Sequence, residues 1–151
     1  MSLARCFFYA RKGVKHMDVE ITDHSAEVAA ALEQALQRGL EKCGLTAEGY
    51  AKRLCDGFKH ATGTLSNSIT HQVDTGTQTV YIGSNLEYAP YVELGTGKYY
   101  PGGRPTPWVY QDVHGNWHYT HGNRAQPYLK PAVADHADQY RAILEAELKN
   151  G

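Results

Sequence analysis

The chain has 151 residues, a hydrophobic share of 42% and a formal net charge of −1, which suits one domain with a single core and leaves no material for a second. No apolar run approaches the ~20 residues that a membrane helix needs, and three scattered cysteines, Cys6, Cys43 and Cys55, read as reduced thiols made in a cytoplasm rather than a disulfide framework. Arg5, Arg11, Lys12 and Lys15 precede the first acid, leaving eleven basic residues against sixteen acidic ones in the rest, and a body of that sign is not expected to grip duplex DNA.

Residues 1–16 form a basic, aromatic N-terminal arm. Its apolar stretch Cys6-Phe-Phe-Tyr-Ala10 is shorter than a signal-peptide core and runs straight into Arg11-Lys12. The arm is either a dispensable extension or a segment held against a neighbouring subunit. Met17 reads as an alternative translation start, followed by the strand-like Asp18-Val-Glu-Ile21. A single domain is expected over 17–151.

Its first element is an amphipathic helix over 24–42, with Val28, Leu32, Leu36 and Leu40 at four-residue steps. Asp23 or Ser25 serves as the N-cap. Gly44 interrupts the pattern, which resumes with Tyr50, Leu54 and Phe58. Either one long helix bends there or two helices meet. Gly63 ends the helical region. Ile69, His71 and Val73 then alternate with polar residues, Asp74-Thr-Gly76 supplies a turn, and Thr79-Val-Tyr-Ile82 returns with Val80 and Ile82 facing the core. This pattern predicts a β-hairpin.

The densest stretch follows, Asn85-Leu-Glu-Tyr-Ala-Pro-Tyr-Val-Glu-Leu-Gly-Thr-Gly97. Pro90 suits the start of a short helix, and Gly95 suits the left-handed residue that closes one. Tyr88, Tyr91 and Val92 are expected to share a face of it. Residues 95–107 have no periodicity and read as a long loop, of the kind that is either functional or disordered. A second hairpin is expected from Trp108–Val113, a His114-Gly-Asn116 turn, and Trp117–His121, with Trp108 and Tyr110 on one side of their strand and Trp117 and Tyr119 on one side of theirs. Pro131 opens a last helix whose buried stripe is Val133, Ala137, Tyr140, Leu144 and Leu148. Two helices bracketing two hairpins give an α+β domain, an antiparallel sheet of hairpins with the long helix packed across one face.

Little in this chain reads as catalytic or metal-binding chemistry. His114, His118 and His121 lie close together, but the intervening turn forbids the helix that would align them, and no cysteine completes a zinc set. Gly95-Thr-Gly-Lys98 imitates the end of a phosphate loop, yet Tyr99 stands where Ser or Thr must hold magnesium, and Tyr100 spoils a dinucleotide fingerprint. Glu93 is the acid of most interest. It is either a general acid of raised pKa or, the favoured reading, an acceptor of backbone N–H groups or the Thr96 hydroxyl that fixes the loop. Cys43 and Cys55 read as small core residues. Tyrosine is over-used, with 11 residues against 3 phenylalanines, and tyrosine suits surfaces that are covered only on assembly. Trp108, Tyr110, Trp117 and Tyr119, with Tyr99, Tyr100 and Arg104 ahead of them, form either a docking surface or a hairpin folded over its own core.

Three ordered stretches, Thr62-Gly-Thr-Leu-Ser-Asn-Ser-Ile69, Gly83 to Thr96, and Gln126-Pro-Tyr-Leu-Lys-Pro-Ala132, resemble the tail-completion (head–tail joining) proteins of long-tailed bacteriophages, the gene-product-ten family of Hong Kong 97-like phages. The resemblance covers roughly residues 18–149; the family's proline ahead of Thr-Gly and basic residue after Leu are absent here. It implies a non-enzymatic virion protein without metal or cofactor, assembled in the host cytoplasm and placed at the head–tail junction. It further implies a homo-oligomeric ring, commonly hexameric, around a DNA channel, in contact with other neck and tail proteins and with no membrane. The acidic body suits a lumen that does not hold phosphate. The expected interface residues are Tyr88, Tyr91, Glu93, Tyr99, Arg104, Trp108 and Trp117. Other connector roles (head closure, adaptor, tail terminator) are the nearest alternatives, with a hydrolase or a single-strand nucleic-acid binder behind them.

Overall fold

The computed structural model describes residues 23–58 and 62–150; the N-terminal arm and the strand-like 18–21 lie outside that range. One uninterrupted helix, α1 (Ser25–Asp56), takes up the whole first region in 32 residues, roughly 48 Å at 1.5 Å per residue. Asp23 provides the anticipated N-terminal contact by accepting the Ser25 N–H at 2.9 Å, while His24 holds the cap position itself.

Gly44 does not end α1, although glycine costs a helix about 1 kcal/mol relative to alanine. The reason lies across the interface: a Cβ at Gly44 would overlap the His71 ring of the first hairpin. The buried side of α1 is a strip of small residues, with Ala35, Gly39, Cys43, Gly44, Ala47, Ala51 and Cys55 beside a single Leu40. Such a strip lets other elements approach the helix axis closely. The expected Val28–Leu32–Leu36–Leu40 stripe is therefore only partly inward. Val28 and Leu32 remain 65% and 54% exposed, because none of residues 25–34 is buried by the described chain.

After Gly63, in left-handed backbone (φ 77°), a one-turn helix α2 (Thr64–Ser68) intervenes before the hairpin. Strands β1 (Ile69–Asp74) and β2 (Thr79–Ser84) pair antiparallel, with His71 opposite Ile82 and Val73 opposite Val80, so the predicted inward face is correct. The Asp74 carboxylate accepts the Gly76 N–H at 2.9 Å and closes the turn. His71 reaches α1 through Nδ1 to Glu48 (2.6 Å) and Nε2 to Glu41 (3.1 Å), and Glu48 also binds Lys52. Burial pulls the His71 pKa down, but the hydrogen bonds it donates to Glu48 and Glu41 outweigh that, and the net direction is upward. Lys52 and His71 hold the Glu48 carboxyl below its ordinary value.

Two short helices, not one, close the described chain: α4 (Leu129–Ala134) and α5 (Ala137–Asn150). The break falls at Asp135–His136. There the His136 ring stacks on Tyr50 with centroids 3.4 Å apart, its carbonyl accepts the Gln139 and Tyr140 N–H groups, and the Tyr140 hydroxyl returns to the Ala132 carbonyl. This reorients the predicted stripe. Val133 and Leu148 are exposed, α4 buries Ala132 instead, and α5 packs on α1 near Gly39, where Leu144 and Glu147 lie. Lys42 and Arg38 both bind Glu147 across that seam.

The core consists of Ala51, Cys55, Ile69, Tyr128 and Ala132, flanked by Tyr50, Phe58, Leu65, Ile82, Val92 and Leu129. Cys43 and Cys55 are buried free thiols, and burial pushes the Cys55 thiol up to about 12. The fold is α+β, and its two hairpins make two separate two-stranded sheets. Only β1–β2 lies under α1.

Candidate interaction surface

Helix α3 (Ala89–Leu94) carries Pro90 in its first turn, where the absent N–H costs nothing. Its residues diverge in burial: Val92 packs against the core, whereas Tyr91 is 61%, Leu94 51% and Tyr88 43% exposed. Tyr91 and Val92 thus do not share a face as anticipated. One lies outward and the other inward.

Glu93 points at another element. Its Oε2 accepts the Tyr128 and Leu129 N–H groups at 2.7 and 2.9 Å, and its Oε1 accepts that of Lys130 at 3.0 Å. These are the open donors at the start of α4, which lacks a side-chain cap from its own N-cap residue. A carboxylate there both satisfies them and complements the positive end of the helix. The favoured sequence reading, a carboxylate holding backbone N–H groups, matches this geometry. The donors come from 35 to 37 residues away, not from the adjacent loop. The Thr96 hydroxyl has a different task, accepting the Asn123 N–H at 2.9 Å.

The Gly-Thr-Gly run forms the root of the second hairpin. The Thr96 N–H donates to the Asn123 carbonyl (2.9 Å), the Lys98 N–H to that of His121 (3.0 Å), and the Gln126 N–H to that of Val92 (2.8 Å). Backbone meets backbone so closely that a Cβ at Gly97 would overlap the His121 carbonyl. Gly95 also ends α3 with φ 79° and ψ 179°. That is not the left-handed helical geometry anticipated but an extended region open essentially to glycine alone. A single 3₁₀ turn, Gly97–Tyr99, then leads into the loop.

From that root rise β3 (Trp108–Gln111) and β4 (Trp117–Thr120). Asp112 organises the tip by accepting the His114 and Asn116 N–H groups (2.8 and 2.9 Å) and the His118 Nε2 (2.9 Å). The His118 bond, then the Asn116 backbone, holds its carboxyl down at about 2. His118 is thereby committed to Asp112 and stacks on Tyr110 at 5.3 Å, and His121 lies edge-on to Tyr119. Trp117 is 70% exposed, Tyr119 67%, Val109 56% and Tyr110 47%, while Trp108 is half-buried with the Arg104 guanidinium 5.8 Å from its ring. Tyr99 lies between Lys98 (5.1 Å) and Arg124 (5.5 Å), and the Arg124 hydrogen bond draws its hydroxyl pKa down.

Of the expected interface residues, Tyr88, Tyr91, Tyr99, Arg104 and Trp117 lie on the outside, Trp108 is half-buried, and Glu93 works beneath them. Sequence reading missed the His71–Glu48–Glu41 cluster and the glycine crossing of 95–97 with 121–123. A polar histidine at an inward strand position signals the first. The second pairs segments remote in sequence.

No helix of the described residues is long and apolar enough to cross a membrane. No curated protein and no solved structure matches the chain. A family profile does, over residues 17–95: HK97-gp10_like, described as "Bacteriophage HK97-gp10, putative tail-component". With more than half of its length matched, from ahead of α1 through α3, the chain belongs to the HK97-gp10-like family of phage tail components.

Proposed function

We propose that this protein is a structural, non-enzymatic component of the phage neck that completes the top of the tail and joins it to the head. It acts as a ring of copies, hexameric by family resemblance, around the DNA channel, and it is assembled in the host cytoplasm before entering the virion. One observation carries this reading beyond family membership: the described chain buries small side chains and leaves large ones outside. Tyr128 and Ile69 are the largest fully buried side chains, whereas Trp117, Tyr119, Tyr91, Tyr81 and Leu94 are each more than half exposed. Interfaces formed on assembly are enriched in aromatic residues of this kind. Tyr88, Tyr91, Tyr99, Arg104, Trp108 and Trp117 supply the contact, and Glu93 shapes it from below. The same Glu93 is engaged by three backbone donors, a structural role that weakens a hydrolase reading. The other neck and tail proteins stack on the ring, and DNA passes through without specific binding.

The test is electron microscopy of particles lacking the gene. Filled heads beside unjoined tails are the expected outcome. Joined, infectious particles would overturn the assignment, and density for the protein elsewhere in the intact particle would reassign it to another connector position.

A further inference from the structure

The second hairpin supports a more specific statement about contacts between copies, which rests on the oligomeric reading above. Directly opposed residues of an antiparallel pair lie on the same face. The register Trp108↔Thr120 and Tyr110↔His118 therefore puts Trp108, Tyr110 and His118 on one face; Val109↔Tyr119 and Gln111↔Trp117 put Val109, Trp117 and Tyr119 on the other. A sheet lying on its own core hides an apolar face and presents a polar one to water. This ribbon is aromatic on both faces and exposed on both. A lone two-stranded hairpin is marginal in water, so two open aromatic faces call for protein on each side.

Charge narrows what that protein is. Residues 95–130 carry Lys98, Arg104, Arg124 and Lys130 against Asp112 alone, whereas residues 62–94 have no lysine or arginine and carry Asp74, Glu87 and Glu93, the last turned toward the start of α4. Among the described residues, Lys98, Arg104 and Arg124 have no carboxylate partner, and each lies against an aromatic ring instead. Exposed Glu87 likewise has no cationic partner there. One chain thus holds both halves of a complementary pair on separate segments. Contact between two unlike surfaces of identical copies propagates head to tail and closes into a ring when the rotation allows. The acidic segment also offers a platform: on the outer face of β1–β2, Tyr81 is 58% exposed, and a Cβ on neighbouring Gly83 would meet nothing within 4 Å.

We propose that β3–β4 is an arm laid across the acidic 62–94 side of a second copy of this chain, with both of its aromatic faces covered by neighbouring copies in the assembly. The cationic root and the acid-bearing flank set the direction, and the rings supply the buried area.

The experiment places a photo-cross-linking phenylalanine analogue at Tyr119 in the full-length chain, mixes ¹⁴N- and ¹⁵N-labelled protein, and maps the products by mass spectrometry. Mixed-isotope links from Tyr119 into residues 62–94 are the expected result. Links confined to one isotope, or to another segment, overturn the arm. Two variants add independent readouts. Trp117→Ala should raise the concentration needed for half-assembly at least about tenfold without moving the melting temperature of the dispersed chain; unchanged assembly counts against the proposal. Arg104→Glu with Arg124→Glu should weaken assembly similarly. If that pair instead abolishes salt-sensitive binding of a single-stranded oligonucleotide while assembly persists, the surface serves nucleic acid and the arm is wrong. A neck defect in gene-lacking particles together with cross-links elsewhere sinks only the arm; intact particles sink the neck assignment itself.

Discussion

The two hairpins share a sequence signature, alternating residues around an Asp- and Gly-bearing turn, and differ in what covers them. In β1–β2 the inward residues Ile69, His71, Val73, Val80 and Ile82 meet a strip of small residues on α1, where Gly44 admits the His71 ring and Ala51 and Cys55 admit Ile69. In β3–β4 the rings are larger, stand on both faces, and meet no helix of their own chain in any comparable way. Strand length and pairing are thus local properties, while burial depends on a surface contributed from elsewhere. For the first hairpin that surface is α1. For the second it is proposed to be another copy. This comparison can be broken at several points.

The largest effect should come from Ile69, which is fully buried. Ile69→Ala removes atoms from a packed core and should cost about 2–5 kcal/mol, read as a lowered urea midpoint. Val109→Ala, the matching truncation on the second hairpin, should stay within about 0.5 kcal/mol, because Val109 is 56% exposed. Equal losses at the two sites would mean that the hairpins are packed alike and the contrast is false.

Glu93 tests whether the second hairpin's root depends on the body. Glu93→Ala leaves three N–H groups at the start of α4 without their carboxylate, at a cost of about 2–4 kcal/mol given the worth of charge-assisted bonds and of stranded donors. Glu93→Gln retains one acceptor oxygen and should fall between. The melting temperature would drop in that order, and hydrogen exchange would rise first over residues 128–134. No change with Glu93→Ala would mean that water replaces the carboxylate, and that the helix start needs no cap.

The clamp of the first hairpin should respond to pH through both of its partners, His71 and Glu48. His71 has a raised pKa in the fold, so its contribution is complete below the unfolded histidine value and is lost as pH rises through the folded one. Glu48 has a lowered pKa, so its contribution is present above the unfolded carboxyl value and is lost as pH falls through the folded one. Both are in force together between the glutamate and histidine ranges, roughly pH 4.5 to 6.5. His71→Gln should remove the alkaline part of this dependence, on the order of 1 kcal/mol for a half-buried pair. An unchanged stability–pH curve would show that the contact contributes nothing.

How far these differences could be read in advance depends on the distance between partners. Alternation placed Ile69, Val80 and Ile82 correctly because the partner strand is adjacent in sequence. The helix is legible for the same reason, but its inward side only in part: the Val28–Leu32–Leu36–Leu40 stripe points to Leu40 correctly, while the close contact otherwise uses Ala35, Gly39 and Ala47. Small residues carry little hydrophobic signal, and only the position of α5 and the hairpin reveals why they are there. The break at Asp135–His136 was invisible because it depends on a stacking partner, Tyr50, from the first helix. The crowded setting of Glu93 points to a backbone-holding role, but donors at Tyr128 to Lys130 have no local trace in the sequence.

Trp108 is where the comparison becomes finest, because it lies between the two conditions. It is half-buried at the base of the ribbon, with the Arg104 guanidinium near its ring and Thr120 opposite it. Its loss removes a cation–π contact of about 0.5–1 kcal/mol at an exposed site and part of a ring face, so Trp108→Ala should lower the stability of the dispersed chain by about 1 kcal/mol at most. If the aromatic faces are covered by neighbouring copies, the same change should shift assembly far more than folding, since truncating an aromatic anchor at an interface centre typically costs at least 2 kcal/mol of association. Sedimentation of the folded variant separates the two effects. A Trp108→Ala chain that unfolds places the ring in the protein's own core; one that folds and assembles like the parent leaves that face of the ribbon bare in the particle.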